Sequence, residues 1–229
     1  GLVRTSAATG RVNFKTEAAG IIRYDRDLIK ALNSVDESLT LSLVQHNQLL
    51  NAGQMVATLK VIPYFVSEAI CHQFEQVLAG KTAFHFHPLR GRQVSLIQTM
   101  DHVLQDKVYA ATEAVTETRL HQLGCKLISR QRCAHNSVDV AAEIQAARTA
   151  GAELILLCGC SAIADRQDIL PMAIEDAGGQ IDQLGLAVDP GNMLLIGHID
   201  SLPVIGMPGC ARSPKLNGCL LYTSPSPRD

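Results

Sequence analysis

Residues 154–171 read LILLCGCSAIADRQDILP. Four aliphatic residues, Leu154 to Leu157, lead into a turn of small side chains. Asp165, Arg166 and Asp168 follow, and Ile169-Leu170-Pro171 opens a helix that Gly178-Gly179 stops. A continuous apolar run of this kind suits a central parallel strand buried on both faces. Strands alternating with helices imply a parallel sheet with right-handed crossovers. Ligands in such sheets bind beyond the carboxyl ends of the strands, which places the 158–168 turn at the site.

The residue types of this turn point to anion chemistry. Gly159, Cys160, Ser161 and Ala162 let a ligand approach the backbone closely, and Ser161 adds a hydroxyl. The helix N-terminus beyond them favours negative charge. Arg166 offers a planar fork for phosphate or carboxylate. Asp168 is either an N-cap or, with a second carboxylate, a group that holds a metal ion or handles a proton.

The rest of the second half repeats the alternation. Strands are expected at 94–97, 126–129, 184–188, 193–196 and 204–205. Helices are expected at 103–124, with Leu104, Val108, Ala111, Val115, Leu120 and Leu123 inward, and at 139–150. Two more loops then fall beside the first. Asp189-Pro190-Gly191-Asn192 follows the 184–188 strand, and Pro208-Gly209 leads to Arg212, Ser213 and Lys215. Each is explained by turn formation alone, but three such loops on one sheet edge would make a pocket. Asp139 either caps its helix or supplies the second carboxylate. His135 lies on the same side and reads as a surface or packing histidine.

Residues 1–80 form a different, β-rich block. A turn at Gly10 feeds a strand, 39–44 alternates like a half-buried strand, and 55–63 forms another. Short helices are expected at 27–33, with Leu28, Ile29 and Leu32 inward, and at 67–78. Residues 81–93 read as a polar linker. His85 and His87 share one side of it, a metal pair only if a third ligand exists.

Composition limits the partners. Hydrophobic residues make up 47% and charged residues 18% of 229, with a net charge of −2 and no basic stripe, so nucleic acid is disfavoured. Aromatics at 4%, without Trp, disfavour base-stacking platforms. No apolar run reaches the length of a membrane span. The seven cysteines are odd in number and lack paired CxxC spacing, which suits small residues in a reducing cytoplasm. Cys158 and Cys160 share a strand face, so a metal or redox pair is the alternative. The chain begins at Gly1 rather than Met, and its natural start is expected upstream. Residues 219–229, CLLYTSPSPRD, resemble a translated sequencing adapter after a broken reading frame, the other reading being a disordered Ser/Pro tail.

Three segments together, GCSAIADRQDILP from Gly159, VDPGNMLLIG from Val188 and IGMPGCARSPKLNG from Ile205, resemble the molybdopterin-binding domain of molybdenum-cofactor biosynthesis proteins of the Mog/MoeA type. The closest likeness is to a branch found fused to a molybdenum-cofactor cytidylyltransferase. TGRVNF from Thr9 and MVATLKVIPYFV from Met55 look like the region preceding that domain. The resemblance implies a three-layer α/β domain at 94–218 with a mostly parallel sheet, preceded by the smaller β-rich region. It implies a cytoplasmic, homo-oligomeric protein that binds molybdopterin or molybdenum cofactor over the three loops. Asp168, matched to the family's acidic residue, and loosely Asp139, would hold Mg²⁺ while ATP or CTP is used for nucleotidyl transfer or molybdate is inserted. Cys160 departs from the commoner Gly-Gly-Thr/Ser loop. A non-catalytic module presenting cofactor to a fused or partner cytidylyltransferase is the alternative. A nucleotide hydrolase on the same fold is the more distant one.

Overall fold

The computed structural model describes residues 1–7, 9–101, 104–187 and 191–214. The chain divides into two compact units, residues 1–89 and the residues from Arg90 onward. Val188, Asp189, Pro190, Lys215 and the 219–229 tail lie outside the described residues.

The first unit holds two antiparallel sheets and two helices. One sheet orders β1 (Leu2–Arg4), β2 (Arg11–Thr16), β6 (Met55–Val61) and β4 (Leu39–Leu43) as β1-β2-β6-β4. The other orders β5 (Leu49–Leu50), β3 (Gly20–Tyr24) and β7 (Phe84–Pro88) as β5-β3-β7. Helix α1 (Arg26–Asn33) starts where Asp25 accepts the N–H groups of Asp27 and Leu28, and it buries Leu28 and Leu32. Helix α2 (Glu68–Leu78) is capped by Ser67. Their apolar faces meet Ile22, Leu39, Leu41, Val56 and Phe74 in one core. The expected polar linker is corrected in part. Residues 84–88 form β7, with Phe86 opposite Ile22 and His85 opposite Arg23, and the alternation of Phe and His is a strand's rather than a linker's.

The second unit is a three-layer α/β domain on a six-stranded sheet. Strands β8 (Gln93–Met100), β9 (Lys126–Ala134), β10 (Leu154–Cys158), β11 (Gln180–Leu184), β12 (Leu195–Ile199) and β13 (Leu202–Met207) lie in the order β11-β12-β13-β10-β8-β9. The four from β13 to β9 run parallel, and β12 and β11 are antiparallel additions. β10 shows why a central strand must be apolar throughout. Ile155 and Leu157 enter one core with Val140 and Ile144 of α4 (Ser137–Thr149) and Ala173 and Ile174 of α5 (Ile169–Asp176). Leu156 and Cys158 enter the opposite core with Leu120 of α3 (Asp106–Gln122). Pro171 occupies the first turn of α5, where its missing N–H costs no helical hydrogen bond.

Three expectations are corrected. The helix expected from 103 begins at Asp106, and its buried residues are Tyr109, Thr112 and Leu120, not Ala111 or Leu123. Tyr109 and Thr112 bury because polar partners meet them, which an apolar count misses. The strand expected at 184–188 is β11, four residues earlier, and the one at 193–196 is β12. Asn136, not Asp139, caps α4: its Oδ1 accepts the Asp139 N–H, while Asp139 Oδ2 accepts from Asn136 Nδ2.

Candidate functional site

The carboxyl ends of β8, β9, β10 and β13 lie on one sheet edge. Leu184 of β11 pairs with Leu195 of β12, and Leu195 pairs with Gly206 near the end of β13. The two ends of the 185–194 connection therefore lie at the same edge, although β11 and β12 are not parallel to their neighbours. Its described part is closed by Gly185 N–H to Leu194 O and Leu186 N–H to Asn192 O, with Gly191 at φ +113° and Asn192 exposed.

The loop after β10 is fixed at four points. The Cys160 N–H donates to Thr99 Oγ1 (2.9 Å) on β8. Ile163 is buried in the core below the loop. Gly206 makes room for it: a Cβ there would stand 2.9 Å from Ile163 Cδ1 and 2.8 Å from Leu195 Cβ. Arg212 donates to Gly159 O (2.5 Å), tying the β13 loop to the β10 loop. Asp168 closes the far side. Its Oδ1 accepts the Ile169 N–H, capping α5, and its Oδ2 accepts the Ala164 N–H. Asp165 caps its own turn by accepting the Gln167 N–H.

Between these anchors the backbone N–H groups of Ser161, Ala162 and Ile163 make no hydrogen bond to the described residues. Ser161, Ala162 and Arg166 are exposed. Successive unpartnered amides in a turn form a concavity that takes an anion.

Pro208 is buried and Gly209 exposed, beside a 3-10 turn over Gly209–Arg212. Arg119 of α3 donates to Ala211 O and Ser213 O, both at 2.5 Å, and so holds that turn by its backbone.

Among the described residues no three His, Cys, Asp or Glu side chains form a cluster for an ion. Both expected ligands, Asp168 and Asp139, are engaged in helix-start hydrogen bonds.

His135, expected as a surface or packing histidine, is hydrogen-bonded to β8 and to the loop after β10. Its Nδ1 lies 2.8 Å from Thr99 Oγ1 and its Nε2 lies 2.9 Å from Ser161 Oγ. Thr99, fully buried, also went unpredicted, as did a polar cluster on the α3 face. There Gln98 Nε2 donates to Glu113 Oε1 (3.0 Å), which also accepts two N–H groups of Arg132, and Arg132 stands over the Tyr109 ring.

The thiols of the Cys158-Gly159-Cys160 segment are free. Burial pushes Cys158 up to about 11 against the pull of Arg212. Cys160 is also raised, by burial first. A hydrogen bond from Thr99 opposes that rise, and the charge and hydrogen bond of Asp101 add to it. Both therefore stay protonated near neutral pH and do not form a thiolate pair.

No family model matches the sequence, and no curated protein matches it. Among solved structures, the chain is similar to the molybdopterin biosynthesis MoeA protein of Pyrococcus horikosii, at 16% identity and a TM-score of 0.37, over 85% of this chain and 63% of that one. It is similar to the molybdopterin biosynthesis enzyme MoaB of Thermus thermophilus, at 18% identity and a TM-score of 0.38, over 54% of this chain and 82% of that one. It is also similar to the protein CinA of Thermoplasma acidophilum, at 13% identity and a TM-score of 0.37, over 53% and 90%. The chain thus spans under two thirds of the MoeA protein's length. Among the described residues no helix is long and apolar enough to cross a membrane.

Proposed function

We propose that the second unit binds molybdopterin or molybdenum cofactor through its phosphate and serves molybdenum-cofactor biosynthesis. The observation that carries this reading is the run of unpartnered amides at Ser161, Ala162 and Ile163, held on a sheet edge where two other loops arrive. The sequence resemblance supplies the ligand's identity, and the loop supplies the donors that its phosphate needs. Arg166, exposed in the same loop, adds a charged fork. Arg212 serves by position: its bond to Gly159 O keeps the β13 loop at the pocket.

Asp168 works as the loop's clasp in this reading. Magnesium has no cluster to occupy among the described residues, and no step is assigned to it. The fit of loop and phosphate makes binding the primary act. Whether the bound cofactor is nucleotidylated, receives molybdate or is handed to a cytidylyltransferase is a second, separable property.

The test is equilibrium binding of purified molybdopterin to the full chain. We expect saturable binding that Arg166→Ala weakens about tenfold, the equivalent of about 1.4 kcal/mol. Absence of binding to the unaltered chain would sink the proposal. Adding Mg-ATP or Mg-CTP to the bound complex separates the two roles. A nucleotidylated pterin identifies a transferase, and unchanged bound pterin identifies a presenting module.

A further inference from the structure

We propose that Ser161 is a histidine-activated nucleophile and that the same edge hydrolyses small carboxylic esters. This activity uses the same loop as the pterin reading but does not require that reading to hold. It rests on a chain of hydrogen-bonding contacts that runs from Thr99 through His135 to Ser161.

Thr99 is the orienting group. Its Oγ1 accepts the Cys160 N–H at 2.9 Å. It also lies 2.8 Å from His135 Nδ1. In the proposed tautomer Nδ1 carries the imidazole proton and donates it to Thr99 Oγ1. The lone pair of Nε2 then faces Ser161 Oγ at 2.9 Å and accepts the serine proton. Nucleophile, base and orienting group are thereby in series, which is the geometric requirement for an activated serine. Three different strand ends supply them: β10 the serine, β9 the histidine and β8 the threonine.

The rest of the requirement is also met. Ser161 is exposed, so a substrate reaches it. The N–H groups of Ala162 and Ile163 follow it directly and have no partner among the described residues. Amides immediately after a nucleophile stabilise the oxyanion of a tetrahedral intermediate. The loop that carries them is pinned at both ends.

The step balances without a further reactant except water. Ser161 Oγ attacks the ester carbonyl carbon, its proton passes to His135 Nε2, and the carbonyl oxygen becomes the oxyanion. On collapse the C–O bond to the alcohol breaks, and the departing alkoxide takes the proton from Nε2. Water then attacks the acyl-serine, giving a proton to Nε2. The carboxylic acid leaves, and Ser161 regains the proton.

The experiment treats the full chain with a fluorophosphonate, an organophosphorus probe that reacts with activated serines, and maps the adduct by peptide mass. Hydrolysis of 4-nitrophenyl acetate is followed in parallel. We expect one adduct on Ser161, none in Ser161→Ala, and a labelling rate at least tenfold lower in His135→Gln. Turnover of the ester falls with it. No Ser161 adduct in the unaltered chain overturns the proposal whatever the variants do. A His135→Gln rate lowered less than tenfold also overturns it. Labelling that persists where molybdopterin fails to bind removes the proposed binding function and leaves this one, and the reverse result does the opposite.

Discussion

Cys158 faces the α3-side core at the end of the most buried strand, and its chemistry follows from that place. Only a thiolate is a competent nucleophile, and burial holds this thiol at about 11. Iodoacetamide at about pH 8 is therefore expected to modify the partly exposed Cys125 at least a hundredfold faster than Cys158, as read by peptide mass. The same shift has a sign in stability. The folded state keeps the Cys158 proton to higher pH than the unfolded chain does. The contribution is intact below the ordinary thiol value of 9.0 and fades as pH climbs towards about 11. Urea midpoints measured across that window should fall, and fall less in Cys158→Ala. An equal fall in both proteins would refute the assignment. His135 shows what sequence leaves out at this scale. Its role is set by Thr99 and Ser161, which are 36 and 26 residues away in the chain, and no local pattern announces that meeting. Asp168, by contrast, was legible as a cap, because a capping residue acts on its own neighbours.

Elements whose signal is a repeated apolar spacing could be read directly. α1 and α5, with the strands β4, β6 and β10, sit within a residue or two of their expected places. α3 could not be read in full, since buried Tyr109 lies under Arg132 and accepts from Gln98 at its carbonyl, while buried Thr112 bonds back to the Val108 carbonyl. β7 escaped for the same reason: alternating His and Phe resembled a polar connection until β3 paired with it. Two element-scale predictions follow from the loop after β10. Asp168→Ala removes a helix cap and the clasp on Ala164, at a cost of about 1 kcal/mol or more, so its thermal midpoint should drop by about 3 °C, with Asp168→Asn dropping less. Gly206→Ala places a methyl against Ile163 and Leu195 and should cost about 1 to 3 kcal/mol. A Gly206→Ala protein that melts with the unaltered chain would show that Ile163 does not anchor the loop.

At the scale of the molecule, each unit owns its core. One buried cluster is drawn wholly from residues 22–74, and the other two from residues 94–204. In the sequence, the change from irregular strands to strand–helix alternation accompanies this division. Sequence alone could not show that the antiparallel β11 and β12 bring the ends of the 185–194 connection to the same edge as the parallel strands, because that depends on pairing partners. Residues 90–214 expressed alone are expected to unfold in a single cooperative transition and to retain ligand binding. A preparation of that segment lacking cooperative unfolding would show that the cores are not self-sufficient.

The grip of Arg119 on the turn after β13 has an evolutionary meaning. Both of its contacts are to peptide carbonyls, at Ala211 and Ser213. Carbonyls are common to every amino acid, so the anchorage does not depend on which side chains the turn displays. Under the proposed binding function, substitutions there would change ligand preference while the turn keeps its station. A directed-evolution library confined to residues 209–213 is the natural place to look for altered selectivity.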